Sequence, residues 1–243
     1  MLDRYERITA RQSRTYYVPP DRPAAELTAD ALREGLSALA DTFDLGTTLP
    51  PVRAILAPDR NAFDALVADM LDVEIERPSD PRRIAQPQRT DIVFLSPSAY
   101  AAESAYDYVP DDYQRMVHHE LVHVVQEHLS PNIEASPLWW DEGLAVYLSD
   151  QWRHVSPFRF REPVQLALER GELPALSDVL SDPSLAYPFG WTVVRFLEQA
   201  KGRERIVRAV KEIADGDVLA ALGETPSHLE PRWRAWLLRR GVG

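Results

Sequence analysis

Apolar residues along the chain change period several times, and each change predicts an element. Arg14 to Val18 (RTYYV) reads as a short aromatic and β-branched strand stopped by Pro19-Pro20. After Pro23, the positions Leu27, Ala31, Leu32, Leu36, Leu39 and Phe43 recur at helical spacing and predict a helix to about Phe43. Gly46 and Pro50-Pro51 interrupt before a second strand, Val52 to Ala57, and Asp59 is placed to cap a short helix from about Arg60 to Leu71. Residues 77–90, rich in Pro and Arg, read as a loop. A third strand, Asp91 to Leu95 (DIVFL), is apolar enough to be buried and is expected to end at Pro97. Residues 99–110 carry Tyr100, Tyr106 and Tyr108 between small residues; such a loop either packs on the strand or lines a cleft.

The second half is patterned as helices. Asp111-Asp112 open one that runs to about Leu129 and closes at Ser130-Pro131; Pro137 opens another to about Asp150. More are expected near Val164–Arg170, Tyr187–Ala200, Arg203–Ala214 and Ser227–Arg240. The order predicts an α+β fold: a small mixed sheet in the N-terminal part, then a mainly helical C-terminal part. At 243 residues the chain reads as a single domain, with an α/β lobe over 1–130, a helical lobe over 131–243 and a cleft expected between them.

Composition narrows the function classes. The chain is 45% hydrophobic, enough to build a core, and its 38 acidic against 27 basic residues give a net charge of −11. A field of that sign repels phosphate backbones and anionic lipid, so no nucleic-acid partner is expected. No run approaches the roughly 20 apolar residues that span a bilayer, so no membrane insertion of this chain is expected. The first residues, Met1 to Arg7, carry both charge signs and lack a signal peptide's apolar centre. The compartment stays open between the cytoplasm and the soluble part of an exported protein, and so does the oligomeric state. With no cysteine, disulfides, thiolate zinc clusters and a cysteine nucleophile are excluded, and a metal here needs His, Asp or Glu.

The segment MVHHELVHVVQEHL contains His119-Glu120-Leu121-Val122-His123, an H-E-x-x-H. On a helix, positions i and i+4 project from one face about a turn apart, so both imidazoles can reach one ion. Neutral imidazole nitrogens suit Zn²⁺, and a third protein ligand leaves a fourth position for water. Glu120 follows the first of these histidines, so its carboxylate sits beside the ion rather than on it, where a base must be to take a proton from water. The competing reading is a polar pair on a solvated helix face. It fits poorly with Met116, Val117, Leu121, Val124, Val125 and Leu129 around the pair.

Glu142 stands 19 positions after His123, in Pro137-Leu138-Trp139-Trp140-Asp141-Glu142-Gly143-Leu144-Ala145-Val146-Tyr147. Here the sequence resembles the gluzincin metallopeptidases, in which H-E-x-x-H is followed by a glutamate ligand on the next helix. W-W-D-E-G-L-A-V-Y is similar to the W-x-N-E-G-F-A-x-Y run of the aminopeptidase branch, and closer to the small bacterial peptidase MA-like domains. The resemblance implies a zincin-like fold and one zinc ion held by His119, His123 and Glu142. It also implies Glu120 as general base and acid, and a peptide or protein substrate. Tyr187-Pro188-Phe189-Gly190 resembles the Y-x-x-G element of the same clan, whose tyrosine stabilises the tetrahedral oxyanion; His154 and His228 are substitutes for that role. His118 and His128 are expected to be structural or surface residues.

Two departures bear on specificity. Residues 85–105 hold nothing like the G-x-M-E-N that grips a free N-terminal amine, which favours an endopeptidase over an aminopeptidase. Val146, four after Glu142, replaces the acid of the thermolysin-like branch. Gly143 is expected to let the Glu142 helix approach the H-E-x-x-H helix. Asp141 either orients a ligand imidazole or lies on the helix surface. The strand Asp91–Leu95 is the candidate sheet edge for pairing with an extended substrate. A zincin-like domain that binds metal or a partner without cutting, and hydrolysis of another acyl or ester substrate, remain the alternatives.

Overall fold

Two runs of apolar residues, VRAILA and DIVFL, are buried almost throughout, as strands are when both faces of a sheet are covered. They form the centre of a five-stranded sheet in a computed structural model that describes residues 2–45, 49–153, 159–213 and 215–241. The strands are β1 (Glu6–Thr9), β2 (Ser13–Tyr17), β3 (Val52–Ala57), β4 (Ala85–Gln88) and β5 (Asp91–Leu95), in the order β1-β2-β3-β5-β4. β2, β3 and β5 are parallel; β1 and β4 are antiparallel edges, so the sheet is mixed. The parallel strands are joined through α1 (Arg22–Phe43) and α2 (Arg60–Met70). α1 buries Leu32, Leu36, Leu39 and Phe43, and α2 buries Phe63, Leu66 and Val67. Asp59 caps α2 by accepting from the Ala62 N–H at 2.7 Å.

β5 is therefore an interior strand, flanked by β3 and β4. The expectation that Asp91–Leu95 offers a free edge is corrected: the edge belongs to β4, which lies inside the stretch read as a loop. Leu95 N–H donates to the Ile84 carbonyl at 2.9 Å. By alternation Gln86 and Gln88 face β5, while the backbone groups of Ala85 and Pro87 point away from it. Proline is tolerated there because the N–H it lacks would have pointed to solvent. The preceding loop is tied down from α2. Arg60 donates to Ser79 Oγ at 3.1 Å and to the carbonyl of Arg83, and Asp64 accepts from the Ser79 N–H at 3.0 Å.

Pro97 does not simply end β5; it opens α3 (Pro97–Glu103), with Ser96 as the cap. The tyrosines near this helix form an aromatic cluster: Tyr100, Tyr108 and Tyr113 stand with ring centroids 5.8–6.1 Å apart. Tyr100 and Tyr113 are buried, and the Tyr113 hydroxyl donates to the Leu95 carbonyl at 3.4 Å. Of the tyrosines in residues 99–110, Tyr100 is thus buried in a cluster that Tyr113 ties to the strand, while Tyr106 and Tyr108 are half-buried.

The rest is helical: α4 (Pro110–Leu129), α5 (Leu138–Leu148), α6 (Arg161–Arg170), α7 (Leu176–Ser181), α8 (Pro183–Lys201), α9 (Arg203–Glu212), α10 (Val218–Ala221) and α11 (Pro226–Arg240). The fold is α+β and mainly helical. No helix of the described residues is long and apolar enough to cross a membrane. The chain divides into two compact units, Met1–Val125 and Gln126–Gly243, and the division falls inside α4.

Within the second unit, α5 and α8 meet at glycines. A Cβ on Gly143 would lie 2.6 Å from the carbonyl carbon of Gly190, and one on Gly190 would lie 2.5 Å from the Trp139 carbonyl oxygen. Gly143 therefore serves the approach of α8, which corrects the expectation that it faces the H-E-x-x-H helix. α8 begins at Pro183, four residues before Tyr187, with Asp182 as its cap and Pro188 inside it. The expected start at Tyr187 is therefore four residues too late.

Candidate metal centre

α4 is built as the sequence suggests, with Asp111 and Asp112 in its first turn and His128 in its last, complementing the helix dipole. Its apolar side is fully packed: Val117, Leu121, Val122, Val124 and Val125 are at most 1% exposed. His118 turns towards α1, its Nε2 3.0 Å from the Ala31 carbonyl, which fits a structural histidine. His128 is exposed.

His119 and His123 point the same way from the helix. Their Nε2 atoms are 3.0 Å apart, with ring centroids at 4.7 Å and planes at 77°. One edge of a tetrahedron with bonds of about 2.0–2.1 Å measures about 3.3–3.4 Å, so the two nitrogens already stand close to the spacing of neighbouring ligands. Glu142, on α5, completes the group: one ligand atom from each of His119, His123 and Glu142 lies within 4.8 Å of the other two. His119 is 6% exposed and Glu142 8%. Burying one imidazole and a carboxylate together, with a second imidazole half-buried beside them, is costly unless something is shared among them, a proton or a cation. Two nitrogens and one carboxylate oxygen are a donor set for a divalent transition metal with a coordination position left over; Ca²⁺ and Mg²⁺ favour all-oxygen sets. The residues present thus fit the group that the spacing implied.

Glu120, one residue beyond His119, is 8% exposed and lies outside that three-residue group. Tyr187 is 41% exposed and stands three residues before Gly190, on the part of α8 that packs against α5. His154 lies outside the described residues. His228 is engaged elsewhere: its Nδ1 is 2.8 Å from Glu224, whose carboxylate also receives Lys201 and Arg232.

Asp141 resolves into neither of its two expected roles in the simple form. Its carboxylate accepts from Ser136 Oγ and from the side-chain amide of Gln126 at 3.2 Å. Gln126, 1% exposed on α4, also reaches the Asp141 carbonyl at 3.4 Å. Neither Gln126 nor Ser136 was singled out from sequence. The available signal was an amide one turn after His123 in an otherwise apolar stretch. No protein-family model matches the chain, and no curated protein matches it.

Proposed function

We propose that this chain is a zinc metallopeptidase of zincin-like fold, related in plan to the gluzincins, that hydrolyses internal peptide bonds. The observation that carries the reading is the meeting of His119, His123 and Glu142 with ligand atoms within 4.8 Å, two of the three residues buried. The intact Glu120 beside them favours a catalytic over a merely metal-binding role, since a binding site has no need of a base at that position.

His119, His123 and Glu142 would hold the ion. When bound, zinc supplies Lewis acidity, polarising a carbonyl and making water acidic enough to lose a proton near neutral pH. Glu120 takes the proton of the attacking water and then delivers it to the leaving amine. Tyr187 donates its phenolic hydrogen to the tetrahedral oxyanion; an ordinary phenol remains a donor at neutral pH. An extended substrate would pair with the outward edge of β4, where Ala85 offers both backbone groups and the Pro87 carbonyl, which accepts from the Gln86 side-chain amide at 3.1 Å, would be shared with it.

The test combines zinc content with cleavage of N-blocked and free-amine peptides, with and without chelator, in wild type and Glu120→Gln. Zinc in both proteins, chelator-sensitive cleavage of blocked peptides by wild type and loss of most turnover in Glu120→Gln are expected. Cleavage only of free-amine peptides would make the protein an aminopeptidase. Zinc without cleavage of either would make it a binding domain.

A further inference from the structure

The three proposed ligands come from two helices, and the ion's tolerance for their placement is small, about 0.2 Å in each bond. A side-chain tip lies about 5–6 Å from its helix axis, so rotating α5 by about 10° displaces the Glu142 carboxylate by about 1 Å. Something must set the rotation and spacing of α5 against α4 beyond nonpolar packing, which slides more readily than it breaks. Gln126 is the polar side chain placed to do this. It is buried, one turn after His123 on the same helix, and its amide donates to both the carboxylate and the carbonyl of Asp141, the residue before Glu142. Ser136 holds the same carboxylate from the other side of the turn, in the segment leading into α5.

We infer that Gln126 is a positioning residue: through Asp141 it locks the start of α5 so that Glu142 presents its carboxylate to the metal held by His119 and His123. This rests on the metal-site reading and adds to it a residue that touches neither metal nor substrate. The direction of the hydrogen bond matters. An amide can donate to a carboxylate and a thioether cannot, so Gln126→Met keeps length and volume while removing the tie. The paired exchange Gln126→Glu with Asp141→Asn reverses donor and acceptor, keeps the net charge and restores a bond.

The experiment is zinc titration of the full chain against a competing chelator, with cobalt(II) absorption spectra and thermal melts in the absence of metal. Wild type, Gln126→Met, the paired exchange and Glu142→Ala are compared. Gln126→Met is expected to bind zinc about 10–100-fold more weakly, the range typical for removing a partner that orients a ligand. Its cobalt spectrum should move toward that of Glu142→Ala, a change that general loosening of the fold would not produce. The paired exchange should recover most of the affinity. If wild type binds tightly and depends on Glu142, but Gln126→Met binds equally well or the paired exchange is as weak as Gln126→Met, the positioning role falls and the metal site stands. If wild type binds no zinc, or Glu142→Ala binds as well as wild type, the metal-site reading falls and takes this inference with it.

Discussion

Gly143→Ala sets two effects of known sign against each other. Alanine is favoured over glycine inside a helix by about 1 kcal/mol, which taken alone would stabilise α5. The added Cβ, however, would sit 2.6 Å from the Gly190 carbonyl carbon, 2.8 Å from its oxygen and 3.0 Å from the Trp191 nitrogen, where ordinary contact begins at 3.4 Å. All three are backbone atoms, so no rotamer change relieves the clash, and the helices must part by about 0.8 Å. Overpacking of this kind costs about 1–3 kcal/mol, and a backbone partner puts it towards the upper end. The net expectation is a loss of about 1–2 kcal/mol, which for a chain of this size lowers Tm by about 2–8 °C. The displaced helix carries Glu142 at the neighbouring position, so the shift also exceeds the tolerance of a metal ligand, and zinc affinity should fall at least about tenfold. Thermal melts with and without zinc, with chelator competition, read both effects. A variant with unchanged or raised Tm and full zinc affinity would show that α5 and α8 do not approach as closely as their glycines indicate.

Changing His119, His123 or Glu142 to Ala should each weaken zinc retention; stoichiometric zinc in all three variants would refute the ligand set. Tyr187→Phe should lower kcat with zinc content unchanged, and a wild-type kcat would pass the oxyanion role to another donor. Glu224 has a fully buried side chain: burial pushes its pKa up, but hydrogen bonds from Lys201, Arg232 and His228 overcome this and hold it at about 2, against an ordinary 4.5. A depressed carboxylate stabilises the fold above its ordinary pKa and loses that contribution as pH falls from about 4.5 through about 2. Urea midpoints measured across that window should drop more steeply for wild type than for Glu224→Gln; parallel curves would remove Glu224 from acid stability.

What could be read from the sequence follows the range of the interactions. β3 and β5 appear with the bounds their apolar runs suggest, and α1, α4, α9 and α11 lie within a residue or two of their patterns, because a short unbroken apolar run and burial on a period of 3.6 are both local signals. β1 and β4 carry no such signal. β1 is a mostly exposed edge (ERIT), and β4 contains a proline that is harmless only because its pairing leaves that position facing outward. Pro97 is expected only to end β5, yet it also starts α3, and α8 begins at Pro183, four residues before the Tyr187 start that its pattern suggests. Proline's effect depends on where the chain's hydrogen bonds go, and that is settled by neighbours distant in sequence.

The same division runs through the candidate site. The pairing of His119 with His123 follows from helix geometry alone, and their 3.0 Å separation is what an i, i+4 pair on one face delivers. Glu142 needed the resemblance, since a spacing of 19 residues across a turn fixes no distance. Gly143 meets α8 and not the expected helix for a related reason: a glycine announces that something comes close without saying what. No sequence pattern marks Gln126, because its tie to Asp141 is a contact between elements, with the Asp141 carboxylate 3.2 Å from its amide. A motif thus specifies the groups that touch the ion, while the groups that aim them are written in contacts between elements. The residues that tune such a centre are therefore to be sought at the buried polar atoms around the motif, where an unmet hydrogen bond would be most expensive.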